Sequence, residues 1–188
     1  QAITFGKTYF WNPLDVFLPF GPTQFDREYK SGIDSLRIDI PTGDFSGLTL
    51  IGTTHEFEKA YGLLRYFGNL AHWDLAFQAG AINNGTHLGA GLSGEVGDFG
   101  LRFEGAYLWP DESSTLGEHL NAVLGLGYRF NEKTQCQFEQ LYNGGATNNL
   151  LTNMALFSSG GLLQASKHVS GLSMSHQPSA LIQSSFTL

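Results

Sequence analysis

The residues that could do chemistry in this chain are few, and the best catalytic candidate is a serine between two histidines. Ser170 lies between His168 and His176, all on one parity of a candidate strand. A hydrolase would need such a serine and histidine paired in space, with a third group to orient them. A serine that alternates with small residues is more typical of barrel-interior filling, and His176 of an interfacial position. We therefore expect no catalytic residue and no enzyme activity.

Candidates for a metal or a cofactor are weaker still. His55 is followed by Glu56 and Glu58, but this cluster lacks a fixed ligand spacing, and Ca²⁺ prefers more carboxylates. Residues 89–94 approximate a phosphate-binding GxGxxG, yet they fall inside a predicted strand instead of between a strand and a helix. The single cysteine, Cys136, cannot form an internal disulfide or a cysteine metal cluster. We expect no metal site and no cofactor.

Composition sets the class of protein. Charged residues are 14% of the 188 residues, well below the roughly 25% of soluble domains, and glycine is enriched at 24 residues. Hydrophobic residues at 41% and aromatic residues at 13% exclude a disordered chain. A net charge of -7 argues against a nucleic-acid partner, since phosphate binding needs a basic face. No run approaches the ~18 apolar residues of a membrane helix.

Strict alternation of apolar and polar residues dominates the chain and predicts an all-β protein. Residues 101–109 are the clearest case, with Leu101, Phe103 and Tyr107 on one face and Arg102 and Glu104 on the other. Lengths near ten match the ~9–11 residues that a tilted strand needs to cross a bilayer. The same pattern predicts eleven strands, at residues 3–10, 35–40, 48–54, 60–67, 73–81, 87–95, 101–109, 120–130, 135–142, 168–176 and 182–188.

The two parities of these strands differ sharply in charge. One parity is apolar and carries no ionised residue in the best strands, as a lipid-facing surface requires. We predict aromatic girdles at the strand ends from Trp11, Tyr66, Trp73, Tyr107, Trp109, Tyr128, Phe130 and Tyr142. The other parity carries the charges, and its candidate pore-lining residues are Arg37, Asp39, Arg65, Asp74, Arg102, Glu104, Arg129 and Glu139.

The connections between the strands also alternate. Short polar turns are predicted at residues 41–44, 68–71, 96–98, 131–133 and 177–179, and longer links at 11–30, 55–59, 82–86, 110–119 and 143–166. This is the antiparallel up-and-down layout of a transmembrane β-barrel, with short periplasmic turns and longer extracellular loops. An odd number of strands cannot close such a barrel, so we expect an incomplete fragment of one barrel domain. A miscount within a closed barrel of eight to twelve strands is the competing explanation.

Several short segments add a resemblance to this pattern. They are residues 11–17 (WNPLDVF), 26–28 (DRE), 32–37 (GIDSLR), 62–66 (GLLRY), 73–75 (WDL), 92–95 (LSGE), 100–104 (GLRFE), 122–125 (AVLG), 142–145 (YNGG) and 171–175 (GLSMS). In order and spacing the chain resembles porin-like Gram-negative outer-membrane proteins similar to the alginate-export porins. The resemblance implies a passive or weakly selective channel in the bacterial outer membrane.

The functional expectation is thus a porin-like channel for small hydrophilic solutes or ions, with outer-membrane lipid and lipopolysaccharide as its surroundings. The charged parity either lines the pore and sets ion preference or holds the shape of the barrel. The loop 11–30 is expected to fold inward as a constriction or to cap the barrel, and loop 143–166 to be extracellular. A soluble all-β ligand-binding barrel or sandwich is the alternative. The solute, the ion preference and the oligomeric state stay open.

Overall fold

Ten strands form one antiparallel sheet in the computed structural model, which describes residues 5–16, 35–55, 59–82, 85–111, 114–159, 161–179 and 182–188. Each strand pairs with its neighbours in sequence, so the order is β1 to β10 without a crossover. The strands are β1 (Ser35–Gly43), β2 (Ser46–His55), β3 (Lys59–Leu70), β4 (Trp73–Ile82), β5 (Gly85–Val96), β6 (Phe99–Pro110), β7 (His119–Asn131), β8 (Thr134–Asn143), β9 (His168–Ser179) and β10 (Ile182–Thr187). One helix, α1 (Leu150–Ser158), lies between β8 and β9.

This architecture confirms the predicted all-β, up-and-down antiparallel fold. The sheet is open among the described residues, because β1 pairs only with β2 and β10 only with β9, as expected of an incomplete barrel. Ten of the eleven predicted strands are present. The prediction for residues 3–10 is wrong where the structure describes them, because residues 5–10 form no strand. They lie across one face of the sheet instead, and residues 3 and 4 are outside the described residues.

The register gives the sheet two faces of opposite character, since directly paired residues share a face. Asp39 pairs with Thr49, which pairs with Arg65, which pairs with Gln78. This polar face carries all eight predicted pore-lining residues. The opposite, apolar face carries the exposed Leu36, Ile38, Ile40, Leu50, Leu64, Phe77, Leu88, Leu92, Phe103, Leu124, Leu126, Phe138, Leu172 and Met174.

Tight turns join the strands at one end of the sheet. Leu70 pairs with Trp73, which leaves Ala71 and His72 as the two turn residues, with φ of 50° and 71°. Positive φ at both central positions is the type I′ geometry of two-residue hairpins. The turn predicted at 68–71 is therefore displaced toward the C-terminus, because strand pairing continues through Leu70. The turn residues 180–181 lie outside the described residues.

The connections at the other end include one long ordered loop. Residues 144–167 join β8 to β9 and contain α1, a helix that the strand pattern does not predict. The Asn149 side chain caps the helix by accepting hydrogen bonds from Leu151 N and Thr152 N at 3.1 and 3.2 Å. Asn153 is buried and bonds to Thr147 through both its amide oxygen and its amide nitrogen. Linking residues 17–34, 56–58, 83–84, 112–113 and 160 lie outside the described residues, so the predicted loop 11–30 is described only as far as Val16.

Candidate functional site on the polar face

Residues 5–16 lie against the polar face, and five of them are buried there. Trp11, Leu14 and Asp15 are 3%, 1% and 4% exposed. Trp11 packs on Val123 of β7 and Leu141 of β8. A turn closed by Asp15 N donating to Asn12 O at 3.0 Å reverses the segment after Trp11, and the Asp15 carboxylate accepts from Gly6 N at 2.8 Å. The segment is thus internally bonded as well as packed on the sheet, and we refer to it below as the N-terminal segment.

Two glutamates of the sheet accept backbone hydrogen bonds from the N-terminal segment. Glu139 of β8 accepts from Tyr9 N and, at 2.8 Å, from Phe10 N. Glu104 of β6 accepts from Lys7 N. Both carboxylates are buried, at 0% and 2% exposure. A buried carboxylate requires such donors, because removing its charge from water is costly unless hydrogen bonds replace the water.

Cationic side chains make further contacts between the segment and the sheet. The Arg65 guanidinium lies 4.5 Å from the centre of the Phe5 ring, and that of Arg102 lies 3.8 Å from the centre of the Tyr9 ring. These are cation–π distances. Lys7 of the segment donates to Asp74 at 2.7 Å in an exposed ion pair. The segment is therefore held to the sheet by these two cation–π contacts and this ion pair.

Gln78 of β4 is the centre of a buried hydrogen-bond network. Its Nε2 donates to the backbone oxygen of Leu14 at 2.9 Å and lies 2.8 Å from Nε2 of His87. Its Oε1 accepts from Arg65 at 3.1 Å. Gln78 has one amide oxygen and two N–H donors, so this network uses every donor it owns. Gln78 thus joins β3, β5 and the N-terminal segment.

Glycines of the polar face provide the space that the segment occupies. A Cβ on Gly89 would lie 2.5 Å from Leu14 Cδ2, and one on Gly91 would lie 3.0 Å from Leu14 Cδ1. On β9, a Cβ on Gly171 would lie 2.7 Å from the Phe10 ring. Ordinary van der Waals contact begins at about 3.5 Å between carbon atoms, so larger residues at these positions would displace the segment.

The eight predicted pore-lining residues share one face, and six of them contact the N-terminal segment. Arg37 is 5.9 Å from the Phe5 ring centre and also pairs with Asp39 at 2.8 Å. Asp39 itself bonds to Arg37 and Thr49, while Arg129 is exposed near the turn end of β7. The six that contact the segment are Arg37, Arg65, Asp74, Arg102, Glu104 and Glu139.

Two sequence interpretations are corrected by the structure. Trp11 is not part of an aromatic girdle, because it is buried on the polar face. Ser170 lies on the apolar face and not on the polar face, where interior filling was expected, and its hydroxyl donates to Gln140 Oε1 at 2.6 Å. Neutral buried residues of the site, Gln78 and His87 above all, were missed by sequence reasoning that selected residues by charge. Their polar parity within β4 and β5 is the signal that could have found them.

The described residues hold no group of three or more histidine, cysteine or acidic side chains arranged for a metal ion. Glu56 and Glu58 lie outside that part of the chain. Within the same part, no helix has the length and hydropathy to cross a membrane. Comparisons of the chain with protein-family models, curated proteins and solved structures give no match.

Proposed function

We propose that the chain is part of a porin-like outer-membrane β-barrel, a channel for passive diffusion of small hydrophilic solutes or ions. One observation carries the proposal: every charged residue of the described strands that has a defined register lies on the polar face or in a turn, and the apolar face is exposed. Phe77, Leu88 and Leu124 on that face are 52%, 52% and 51% exposed. Lipid is the environment in which such a surface is stable.

Gln140 and Ser170 are polar residues of the apolar face that satisfy their hydrogen bonds within the sheet, as polar groups surrounded by hydrocarbon must. Gln140 and Ser170 are direct cross-strand partners, and the hydroxyl donates to the amide oxygen. The Gln140 amide nitrogen donates to the backbone oxygens of Leu141 and Val169, each at 3.1 Å. An unpaired amide in hydrocarbon would cost several kcal/mol. The pair is compatible with a lipid-facing position.

The spacing of aromatic clusters also fits a bilayer. The Tyr107 and Trp109 ring centres lie 4.5 Å apart near one end of β6, and those of Phe99 and Tyr128 lie 4.8 Å apart at the other end. Ten residue steps separate Phe99 from Trp109, which is about 34 Å along a strand. At a tilt of about 40° this spans about 26 Å, close to the ~25 Å apolar band of outer-membrane barrels.

The resemblance to porin-like outer-membrane proteins points the same way, and on this proposal lipid and lipopolysaccharide surround the apolar face. A soluble ligand-binding barrel would bury its apolar face and expose its charges. The exposed fractions and the buried Glu104 and Glu139 favour the opposite arrangement. The channel is accordingly preferred over the soluble alternative.

Detergent dependence and conductance test the proposal. The full-length protein should require detergent, migrate faster on a gel before boiling than after it, and produce conductance steps in planar lipid bilayers. A protein that stays monodisperse without detergent would overturn the membrane assignment. A membrane-inserted protein with no conductance under any applied voltage would overturn the channel function alone.

A further inference from the structure

The N-terminal segment occupies the space that an open channel would leave free. If the apolar face meets lipid, the polar face lines the barrel interior. Residues 5–16 lie on that face from β1, where Arg37 contacts Phe5, to β9, where Gly171 accommodates Phe10. The charged residues expected to line a pore are for the most part bound to this segment.

The contacts are those of a fitted binding site. Glu104 and Glu139, both buried, accept hydrogen bonds from the backbone N–H groups of Lys7, Tyr9 and Phe10. Gln78 donates to the backbone oxygen of Leu14. The sheet thus offers acceptors to N–H groups of the segment and a donor to one of its carbonyl oxygens. Gly89 and Gly91 leave room for the Leu14 side chain, which is 1% exposed.

We propose that residues 5–16 are an internal plug of the channel, seated on Glu104, Glu139 and Gln78, and that this plug limits the conductance. The inference rests on the proposed channel function and deepens it. Glu104 and Glu139 bind the plug and do not contact the permeating solute. The width of the conducting path is set by how far the plug moves away from these three residues.

Thiol labelling of the full-length protein in lipid tests the seating without any transport measurement. In a Cys136→Ser background, Leu14→Cys places the only thiol of residues 1–188 on the side of the plug that packs against the sheet. We expect a water-soluble maleimide to label it at least tenfold faster when Glu104→Gln and Glu139→Gln are added. Glu95→Gln is the matched control, since Glu95 lies on the same face but is exposed near the turn end of β5, and it should leave the rate unchanged. Equal rates with and without the two glutamate substitutions would overturn the seating.

Conductance of the same proteins tests the role of the plug. The glutamate double variant should conduct several-fold more than its parent. Gly91→Val, which fills the space of the Leu14 side chain, should likewise raise the conductance, whereas Gly52→Val, where a Cβ meets no atom within 4 Å, should leave it unchanged. If the parent conducts and the glutamate double variant is labelled faster but conducts equally, the plug role is overturned and the channel function is not. If neither the parent nor the labelled, released variant conducts, the channel function itself is overturned, and the plug with it.

Discussion

Leu14 of the N-terminal segment lies directly over Gly91 of β5, so that a Cβ on Gly91 would be 3.0 Å from Leu14 Cδ1. Nearby Gly89 allows an even closer approach, because a Cβ there would be 2.5 Å from the other methyl carbon of the same leucine, Cδ2. Two side-chain-free positions two residues apart thus form the depression in which Leu14 is buried. The position of the whole segment depends on their size.

A larger side chain at Gly91 should displace the N-terminal segment from the sheet. We predict that Gly91→Val shifts the fluorescence of Trp11 to longer wavelength, because Trp11 would move from its buried position into a wetter one. Trp73→Phe and Trp109→Phe leave Trp11 as the only fluorophore of its kind within residues 1–188. Gly52→Val is the control, because a Cβ at Gly52 meets no atom within 4 Å. An unchanged spectrum for Gly91→Val would contradict the close contact.

Two adjacent residues on β8 should differ in how strongly an introduced positive charge destabilises the protein. Phe138 lies on the apolar face and Gln137 on the polar face. In a bilayer, Phe138→Arg should lower the free energy of unfolding by about 2–4 kcal/mol, the cost of a cation near the midplane of a lipid-facing strand. Gln137→Arg should change it by less than about 1 kcal/mol, because its side chain lies on the polar face, away from lipid on the proposed arrangement. The measurement is denaturant unfolding in lipid vesicles. A Phe138→Arg protein that folds normally and gains solubility would instead support a soluble barrel.

Substitutions in the turn between β3 and β4 should stabilise the protein. Ala71 and His72 both have positive φ, which costs non-glycine residues roughly 1–2 kcal/mol each. Asparagine and glycine are the residues that type I′ turns favour at these two positions. Ala71→Asn with His72→Gly should therefore raise the free energy of unfolding by about 1 kcal/mol or more, which thermal unfolding in detergent would show. Gly97→Ala, at φ 62°, should have the opposite sign.

Removing the Gln78 side chain should destabilise the site more than its size suggests. Gln78→Leu retains the volume but leaves the backbone oxygen of Leu14 and the side chains of Arg65 and His87 without this partner. Buried polar groups left unsatisfied cost about 1–3 kcal/mol. Gln137→Leu, at a half-buried position of the same face, is the matched comparison and should cost less. Equal losses in the two variants, measured by thermal unfolding, would argue against the network.

The sequence predicts ten strands and their faces well, because alternation with a period of two records directly which side chains share a surface. It predicts an eleventh strand at residues 3–10 for the same reason: alternating Phe5, Lys7 and Tyr9 suit any extended segment that lies on a face. Pairing in a sheet and packing on one give the same local pattern. Only the tertiary contacts with Glu104 and Glu139 separate them.

The candidate site is predicted only in part. Parity places Arg65, Arg102 and Glu139 together, because charge stands out against an apolar background. It cannot tell that Glu139 binds the backbone of Phe10, 129 residues away, since nothing local in the sequence encodes that contact. Gln78 escapes notice for a related reason, because a neutral glutamine on a polar parity looks like any interior residue.

The order of the strands has a consequence for how the molecule folds. Each strand pairs with its sequence neighbours alone, so the sheet can grow one hairpin at a time, with the loop-closure entropy of each step kept small. The N-terminal segment is the exception, because its bond to Glu139 has no acceptor until β8 has joined the sheet. A segment that is synthesised before all ten described strands therefore reaches its native position only after most of them have paired.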